Sequence, residues 1–282
     1  MTSVATTSAC PLCGAQTRIV YRHPDVQLRR CKGCDHCFAD LSTLAERAVY
    51  DESYGDEDHK NWFENPNTGL FDRIQGHLES VDARSVIDLG CGRADFLSHL
   101  APTHPDWQLV GIEQTPFDPP VGVEVITGDL LTAEIDRQFD GVVSLAVIEH
   151  VEDTAAFLRR AIDLVRPGGA VVVMTLNDRS VLYATARLLR AAGIPGPFDQ
   201  LYSRHHLHHF NKSSLRTAVE ASGLTIVDRL DHNIPAAAID FPSSGWLADS
   251  IRLNGARATF ALGALTRRCY LQTLFCQAPA IV

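Results

Sequence analysis

Two pairs of cysteines and one glycine turn hold the residue types in this chain best suited to chemistry. Cys10-Pro11-Leu12-Cys13 and Cys31-Lys32-Gly33-Cys34 are C-x-x-C knuckles with 17 residues between Cys13 and Cys31. Each knuckle makes a tight turn, eased by Gly14 and Gly33, that aims two thiolates at one ion. Four thiolates fill a tetrahedral sphere and leave no open position, so the expected ion is a structural zinc on Cys10, Cys13, Cys31 and Cys34. The metal would supply folding energy that so short a segment cannot gain from burial. His36 and Cys37 compete for the fourth position, but Cys34 keeps the symmetrical spacing, which leaves Cys37 as a core thiol beneath the ribbon. A redox pair is the alternative reading of these cysteines.

The glycine turn lies in Val86-Ile87-Asp88-Leu89-Gly90-Cys91-Gly92-Arg93-Ala94-Asp95-Phe96. An apolar run ends in an acidic residue, two glycines follow, and a helical pattern resumes. The pattern predicts a buried strand, a tight turn and a helix start, where backbone can approach a ligand closely and free N–H groups face an anion. A dinucleotide fingerprint G-x-G-x-x-G needs a third glycine where Asp95 stands, which weakens a nicotinamide reading. Glu113, 21 residues after Gly92, is placed to accept hydrogen bonds from a ribose diol. Gly128-Asp129-Leu130 follows the next strand and can set a carboxylate beside an adenine amino group. Taken singly, each acidic residue is more simply a helix cap or a solvated loop residue.

The elements that must hold these residues follow from periodicity. Strands are expected at 85–89, 108–112, 123–127, 139–145 and 170–176, alternating with helices near 93–100, 130–136 and 153–165. This alternation predicts an α/β fold, a parallel sheet with helices on both faces, whose strand ends share one ligand-binding edge. Leu70, Phe71, Ile74 and Leu78 predict a helix over 70–78, and a further helix begins near 44–50. Arg166-Pro167-Gly168-Gly169 is expected to end a helix ahead of the buried run at 170–174. Beyond 177 the pattern predicts helices at 180–192 and 213–221, a strand at 224–229, an apolar segment reaching Leu265 and a final strand over 269–276.

Charge narrows the partners. The net charge of −9 is uneven: residues 81–199 hold 9 Lys and Arg against 17 Asp and Glu, and residues 200–282 hold 8 against 5. An acidic middle argues against a broad nucleic-acid surface and suits a cationic ligand. No apolar run reaches 18 residues and residues 1–9 lack the pattern of a signal peptide, so the expectation is a cytoplasmic chain without a membrane span.

Val86–Phe96, Gly111-Ile112-Glu113, Gly128-Asp129-Leu130, Phe139-Asp140 through Ile148-Glu149-His150-Val151, and Arg166-Pro167-Gly168-Gly169 stand in the order of the motifs of class I S-adenosylmethionine-dependent methyltransferases. The chain resembles that superfamily over about residues 85–230, and with its zinc-ribbon start it resembles a bacterial group that methylates small molecules. The resemblance implies a Rossmann-like, seven-stranded, mostly parallel sheet whose last strand is antiparallel. It implies that Gly90 and Gly92 approach the methionine moiety of S-adenosylmethionine with Asp88 near them, that Glu113 binds the ribose, and that Asp129 and Leu130 border the adenine. The expected domains are a zinc ribbon at 1–40, a helical arm over the cofactor site at 41–80, and the methyltransferase domain at 81–282 with lid insertions near 178–212 and 234–268. Methyltransferases of the ubiquinone-pathway type carry a further glutamate where Ala146 stands, which argues against a catechol or polyprenyl acceptor by direct analogy.

A sulfonium methyl group is already activated, so the protein has mainly to align a nucleophile and exclude water, with a base where deprotonation is needed. His150, just past the fourth strand, is a candidate base whose bland alternative is a capping histidine. The segment His205-His206-Leu207-His208-His209-Phe210-Asn211 resembles a pocket-walling H-L-x-x-F segment of related enzymes, and His208 and His205 are the further base candidates in it. Tyr54, with Tyr50 and Trp62, is expected to fold over the cofactor, where an aromatic face favours a cation. The leading reading is methylation of a small-molecule substrate, oxygen favoured over carbon or nitrogen, with a homodimer or carrier-protein contact conceivable. The competing readings are an RNA-base methyltransferase, since residues 1–40 hold 5 Lys and Arg against 3 Asp and Glu, and a cofactor-binding scaffold that does not methylate.

Overall fold

The computed structural model describes residues 9–23, 25–44, 60–203, 205–239 and 246–280, and the account below concerns these. The chain opens with three short antiparallel strands, β1 (Thr17–Arg22), β2 (Gln27–Cys31) and β3 (Cys37–Ala39). Two helices follow, α1 (Lys60–Glu64) and α2 (Thr68–Ser80). Asn67 caps α2 by accepting the Leu70 N–H, and Leu70, Phe71, Ile74 and Leu78 bury the stripe that their spacing predicts.

From residue 85 strands and helices alternate: β4 (Ser85–Leu89), α3 (Asp95–Leu100), β5 (Gln108–Glu113), β6 (Glu124–Thr127), β7 (Phe139–Leu145), α4 (Thr154–Leu164) and β8 (Val165–Leu176). The remainder comprises α5 (Val181–Ala191), α6 (Gly196–Leu201), β9 (His208–His209), α7 (Lys212–Ala221), β10 (Thr225–His232), α8 (Trp246–Leu265) and β11 (Leu271–Gln277). The seven-stranded sheet has the order β10-β11-β8-β7-β4-β5-β6. β4 pairs in parallel with β5 and β7, β5 with β6, and β7 with β8, while β11 runs antiparallel between β8 and β10. This is the expected architecture, including the antiparallel last strand. Its core has two layers because the strand period is two: Val172, Met174 and Leu176 of β8 face one side with α2 and α3, and Val171 and Val173 face the other with α4 and α7.

Two local expectations are corrected. The segment 130–136 is a turn, not a helix. Asp129 Oδ1 accepts the Leu131 and Thr132 N–H groups, and the Arg160 guanidinium takes the carbonyls of Leu130 and Ala133 that a helix would need. Arg166-Pro167-Gly168-Gly169 lies inside β8 and does not terminate a helix, since α4 ends at Leu164. A Cβ at Gly169 would stand 2.7 Å from the Asp140 carbonyl oxygen, so only glycine lets this strand start pass its neighbour. The expected start of a helix near 44–50 falls outside the described residues.

The first strands are stitched into the larger fold. β3 pairs with β9, giving a second sheet of order β1-β2-β3-β9, with Cys37 opposite His209 and Phe38 opposite His208. The Ala39 N–H donates to the Leu207 carbonyl at 2.8 Å, which extends the same ladder. Among the described residues no helix is long and apolar enough to cross a membrane.

Candidate cofactor and acceptor site

A cavity of about 1040 Å³ opens at the C-terminal edge of the parallel strands, where open α/β sheets bind ligands. At its centre the chain leaves β4 through Gly90 (φ +74°) and Gly92 (φ +55°). A Cβ would lie 2.6 Å from Val147 Cγ2 at Gly90 and 2.9 Å from the Phe63 ring at Gly92, so both positions combine left-handed backbone with close approach. The next strand end braces the turn: Glu113 Oε2 accepts the Gly92 N–H at 2.9 Å, and its Oε1 accepts the Gln114 N–H at 2.8 Å.

Asp88, next to last in β4, is 2 % exposed, and its Oδ1 has no hydrogen-bond partner among the described residues. Burial, then repulsion from Glu113 and Asp95, pushes its carboxyl up to about 8. Asp95 is raised as well, by burial. A buried orphan oxygen costs about 1–3 kcal/mol, and three carboxylates around this turn suit a ligand carrying both a cationic centre and donors. Asp88, Gly90, Gly92, Glu113, Gly128, Asp129 and Leu130 all line this one cavity, and so does Trp62. Tyr50 and Tyr54 lie outside the described residues.

The cavity continues beneath β7, β8 and β11. His150 lines it, and its Nδ1–H donates to the His205 carbonyl at 2.7 Å. A carbonyl only accepts, so Nδ1 carries a proton in this contact. His206 also lines the cavity, its Nδ1–H directed to the Leu201 carbonyl at 3.1 Å and its ring centroid 5.0 Å from that of His150. The other two expected bases are placed differently. His205 supplies its main-chain carbonyl to His150, and its ring is not among the lining groups. His208 is drawn into the second sheet, where its Nδ1 lies 3.0 Å from His36 Nε2, and burial pushes its imidazole down to about 4. The pairing of β9 with β3 is the reason, and nothing in the segment's own composition announces it.

Glu149 belongs to this half and escaped the reading of the sequence, where it was one residue of a motif. It is 1 % exposed, accepts the Thr175 hydroxyl at Oε2 (2.8 Å), and has no partner for Oε1 among the described residues. Burial raises its carboxyl to about 7.

Away from the cavity the sulfurs of Cys10, Cys13, Cys31 and Cys34 all lie within 4.8 Å of one another. Cys10 to Cys34 is 3.7 Å, and Cys13 is 3.5 Å from both Cys31 and Cys34. A tetrahedron with metal–sulfur bonds of about 2.3 Å has edges of about 3.8 Å, so the donor set fits zinc. The Gly33 and Cys34 N–H groups point at Cys31 Sγ from 3.2 and 3.4 Å, as hydrogen bonds to a thiolate would. Cys37 is fully buried and outside the group.

Comparison with known proteins agrees with this geometry. A family described as a methyltransferase domain matches residues 54–229. A ubiquinone biosynthesis O-methyltransferase of Stutzerimonas stutzeri is 34% identical over 125 residues, covering 40% of this chain and 53% of its own length. One of the same name from Methylobacterium nodulans is 31% identical over 165 residues, covering 52% of this chain and 62% of its own. The chain thus spans between about half and two thirds of the curated relatives it matches. Among solved structures, a chain from the complex of the Haloferax volcanii Trm112 methyltransferase activator with a methyltransferase has a TM-score of 0.53 at 16% identity, covering 82% of this chain and 100% of its own. A SAM-dependent methyltransferase from Archaeoglobus fulgidus has a TM-score of 0.51 at 17% identity, covering 80% and 100%. With that match over more than half its length and the seven-stranded sheet beneath it, the chain belongs to the methyltransferase-domain family and is a class I S-adenosylmethionine-dependent methyltransferase in fold.

Proposed function

We propose that the protein transfers a methyl group from S-adenosylmethionine to a small-molecule acceptor, with oxygen the favoured acceptor atom. The observation that carries this reading is the convergence of Asp88, the Gly90–Gly92 turn, Glu113 and the Gly128–Leu130 segment on one cavity that continues toward His150. The cofactor would supply an activated methyl group on a sulfonium centre. Gly90 and Gly92 let the main chain lie against its methionine part, and a positive charge beside Asp88 and Asp95 would offset the burial that raises both carboxyls. Glu113 would bind the ribose, and Asp129 and Leu130 border the base. His150, held by its Nδ1–H to the His205 carbonyl, would take the acceptor's proton at Nε2. The names of the curated relatives support oxygen as acceptor, while Ala146 argues for an acceptor other than theirs.

In the same reading Cys10, Cys13, Cys31 and Cys34 hold a structural zinc in residues 1–40, the arm at 41–80 covers the cofactor, and the domain occupies 81–282. His206 and Leu207 of 178–212, and Ile234, Pro235 and Ala238 of 234–268, line the cavity, which supports these segments as walls of the acceptor end. Reduced thiols able to hold metal support a cytosolic setting.

Calorimetric titration with S-adenosylmethionine tests the cofactor, and binding undiminished in Gly90→Arg would falsify the assignment of the turn. Incubating cell extract with methyl-labelled cofactor and identifying the labelled product by mass tests the reaction. Absence of any protein-dependent labelled small molecule, beside tight cofactor binding, would point to a non-methylating scaffold.

A further inference from the structure

α8 is apolar on two faces. Toward the body it buries Ala256 and Phe260, whose ring stacks on Tyr270 with the centroids 6.1 Å apart. Outward it presents Ile251, Gly255, Ala258, Leu262 and Leu265, all exposed and spaced four and three residues in turn. That is the spacing of a seam that packs along a second helix. Ile251 is 65 % exposed, Leu262 49 % and Leu265 82 %. Leu188 of α5, also exposed, widens the patch across a groove that it lines together with Leu262. Of the 20 residues of α8, three are charged, Asp249, Arg252 and Arg257. A helix with apolar residues on both sides is one that becomes covered on both.

Gly255 shows how close the covering element comes. Glycine inside a helix is less favourable than alanine, and a Cβ here would meet nothing within 4 Å in its own chain. Gly263, eight residues on, differs, since a Cβ there would lie 2.9 Å from the Arg268 carbonyl oxygen. No contact within the chain calls for a glycine at 255, whereas a helix laid along the seam would approach nearest there.

The charges select the occupant. Asp249 stands at the start of this face, with Arg252 at 3.8 Å, and Arg267 and Arg268 stand exposed at its end. A second α8 running antiparallel brings a basic end to each acidic start, twice by symmetry. The same arrangement sets Ile251 of one copy against Leu262 of the other, and Gly255 against Ala258. A parallel copy would oppose like charges at both ends. We propose that the protein is a homodimer joined across this face, with the two α8 helices antiparallel. Because Tyr270 lines the cavity, the dimer would brace the acceptor end from behind.

Sedimentation equilibrium of the full chain tests this, and at micromolar concentration twice the chain mass of 30.9 kDa is expected. Gly255→Glu has room in its own chain and should give a monomer with an unchanged circular dichroism spectrum. Leu265→Glu should do the same, and serves if the first variant does not fold. Asp249→Lys should weaken dimerisation about tenfold, and adding Arg267→Asp should restore most of the loss. A monomeric wild type overturns the proposal, and flotation of that monomer with anionic phospholipid vesicles would assign the face to a lipid surface instead. A dimer unchanged in a folded Gly255→Glu or Leu265→Glu overturns it as well, and so does a charge-swapped double variant that recovers nothing.

Discussion

Arg30 Nη2 donates to Asp178 Oδ2 at 2.7 Å with both side chains buried, tying β2 of the cysteine-bearing segment to the residues that follow β8. Asp178 also accepts from Arg187 Nη1 at 3.2 Å and from the Tyr202 hydroxyl. Removing one partner of a buried pair leaves its mate without compensation, at about 3–5 kcal/mol. Asp178→Ala strands two guanidiniums and should cost at least that much, and Arg30→Ala should cost less because Arg187 still faces Asp178. Urea unfolding of the two variants checks the order.

The glycine turn predicts a graded loss of cofactor binding. At Gly90 a methyl group meets Val147 at 2.6 Å on left-handed backbone, so Gly90→Ala should weaken binding and Gly90→Arg abolish it. Glu113→Gln keeps the shape but loses a charged acceptor for the Gly92 N–H, which at about 1.5–3 kcal/mol predicts a loss of about 10- to 100-fold. Calorimetric dissociation constants for S-adenosylmethionine decide between these expectations and unaltered binding.

Metal loss should be felt far from the metal. Cys10→Ser, or a strong chelator, is expected to remove zinc and lower the melting temperature. Because β3 pairs with β9 and the Ala39 N–H bonds the Leu207 carbonyl, amide exchange should also rise at 207–209, next to the cavity wall. Elemental analysis with hydrogen exchange reads both effects. Protection unchanged at 207–209 in the metal-free protein would mean that the strand pairing stands without the ion.

The buried histidines set an acid limb for stability. Burial holds His208 and His232 near 4, His209 and His36 well below their ordinary value, and His77 somewhat below it. An unfolded histidine binds its proton near 6.5, so between about 6.5 and 4 the unfolded chain takes up more protons and stability falls as pH falls. Asp88 near 8, Glu149 near 7 and a raised Asp95 act oppositely, since the folded state keeps protons that the unfolded chain has lost. Their contribution is present at low pH and fades as pH rises toward 8. The histidines outnumber them below 6.5, while only the carboxyls titrate differentially just above it, so stability should peak near pH 6.5. His208→Gln should flatten the acid limb by about one proton, measured as the slope of unfolding free energy against pH.

The histidines at the cavity predict a division of labour. His150→Ala should lower turnover by about 100-fold or more while leaving cofactor affinity nearly unchanged. His206→Ala, one ring away at 5.0 Å between centroids, should alter acceptor affinity, and His208→Gln should act on stability alone. Single-turnover rates set beside binding constants separate the three.

Local chemistry made much of this protein legible in its sequence. The buried strands, the turn at Gly90–Gly92, the acidic residues at successive strand ends and the four-cysteine group each depend on residue type and short spacing, and the structure assembles them as expected. Tertiary contacts decided the rest. Segment 130–136 carries helical periodicity, yet Arg160 from α4 takes its carbonyls and leaves a turn. His205, His206 and His208 are chemically alike, and only the pairing of β9 with β3 settles which ring meets the cavity and which turns to His36. Glu149 became notable because burial and the Thr175 hydroxyl together leave it one unpaired oxygen, a property of position that residue type alone does not carry.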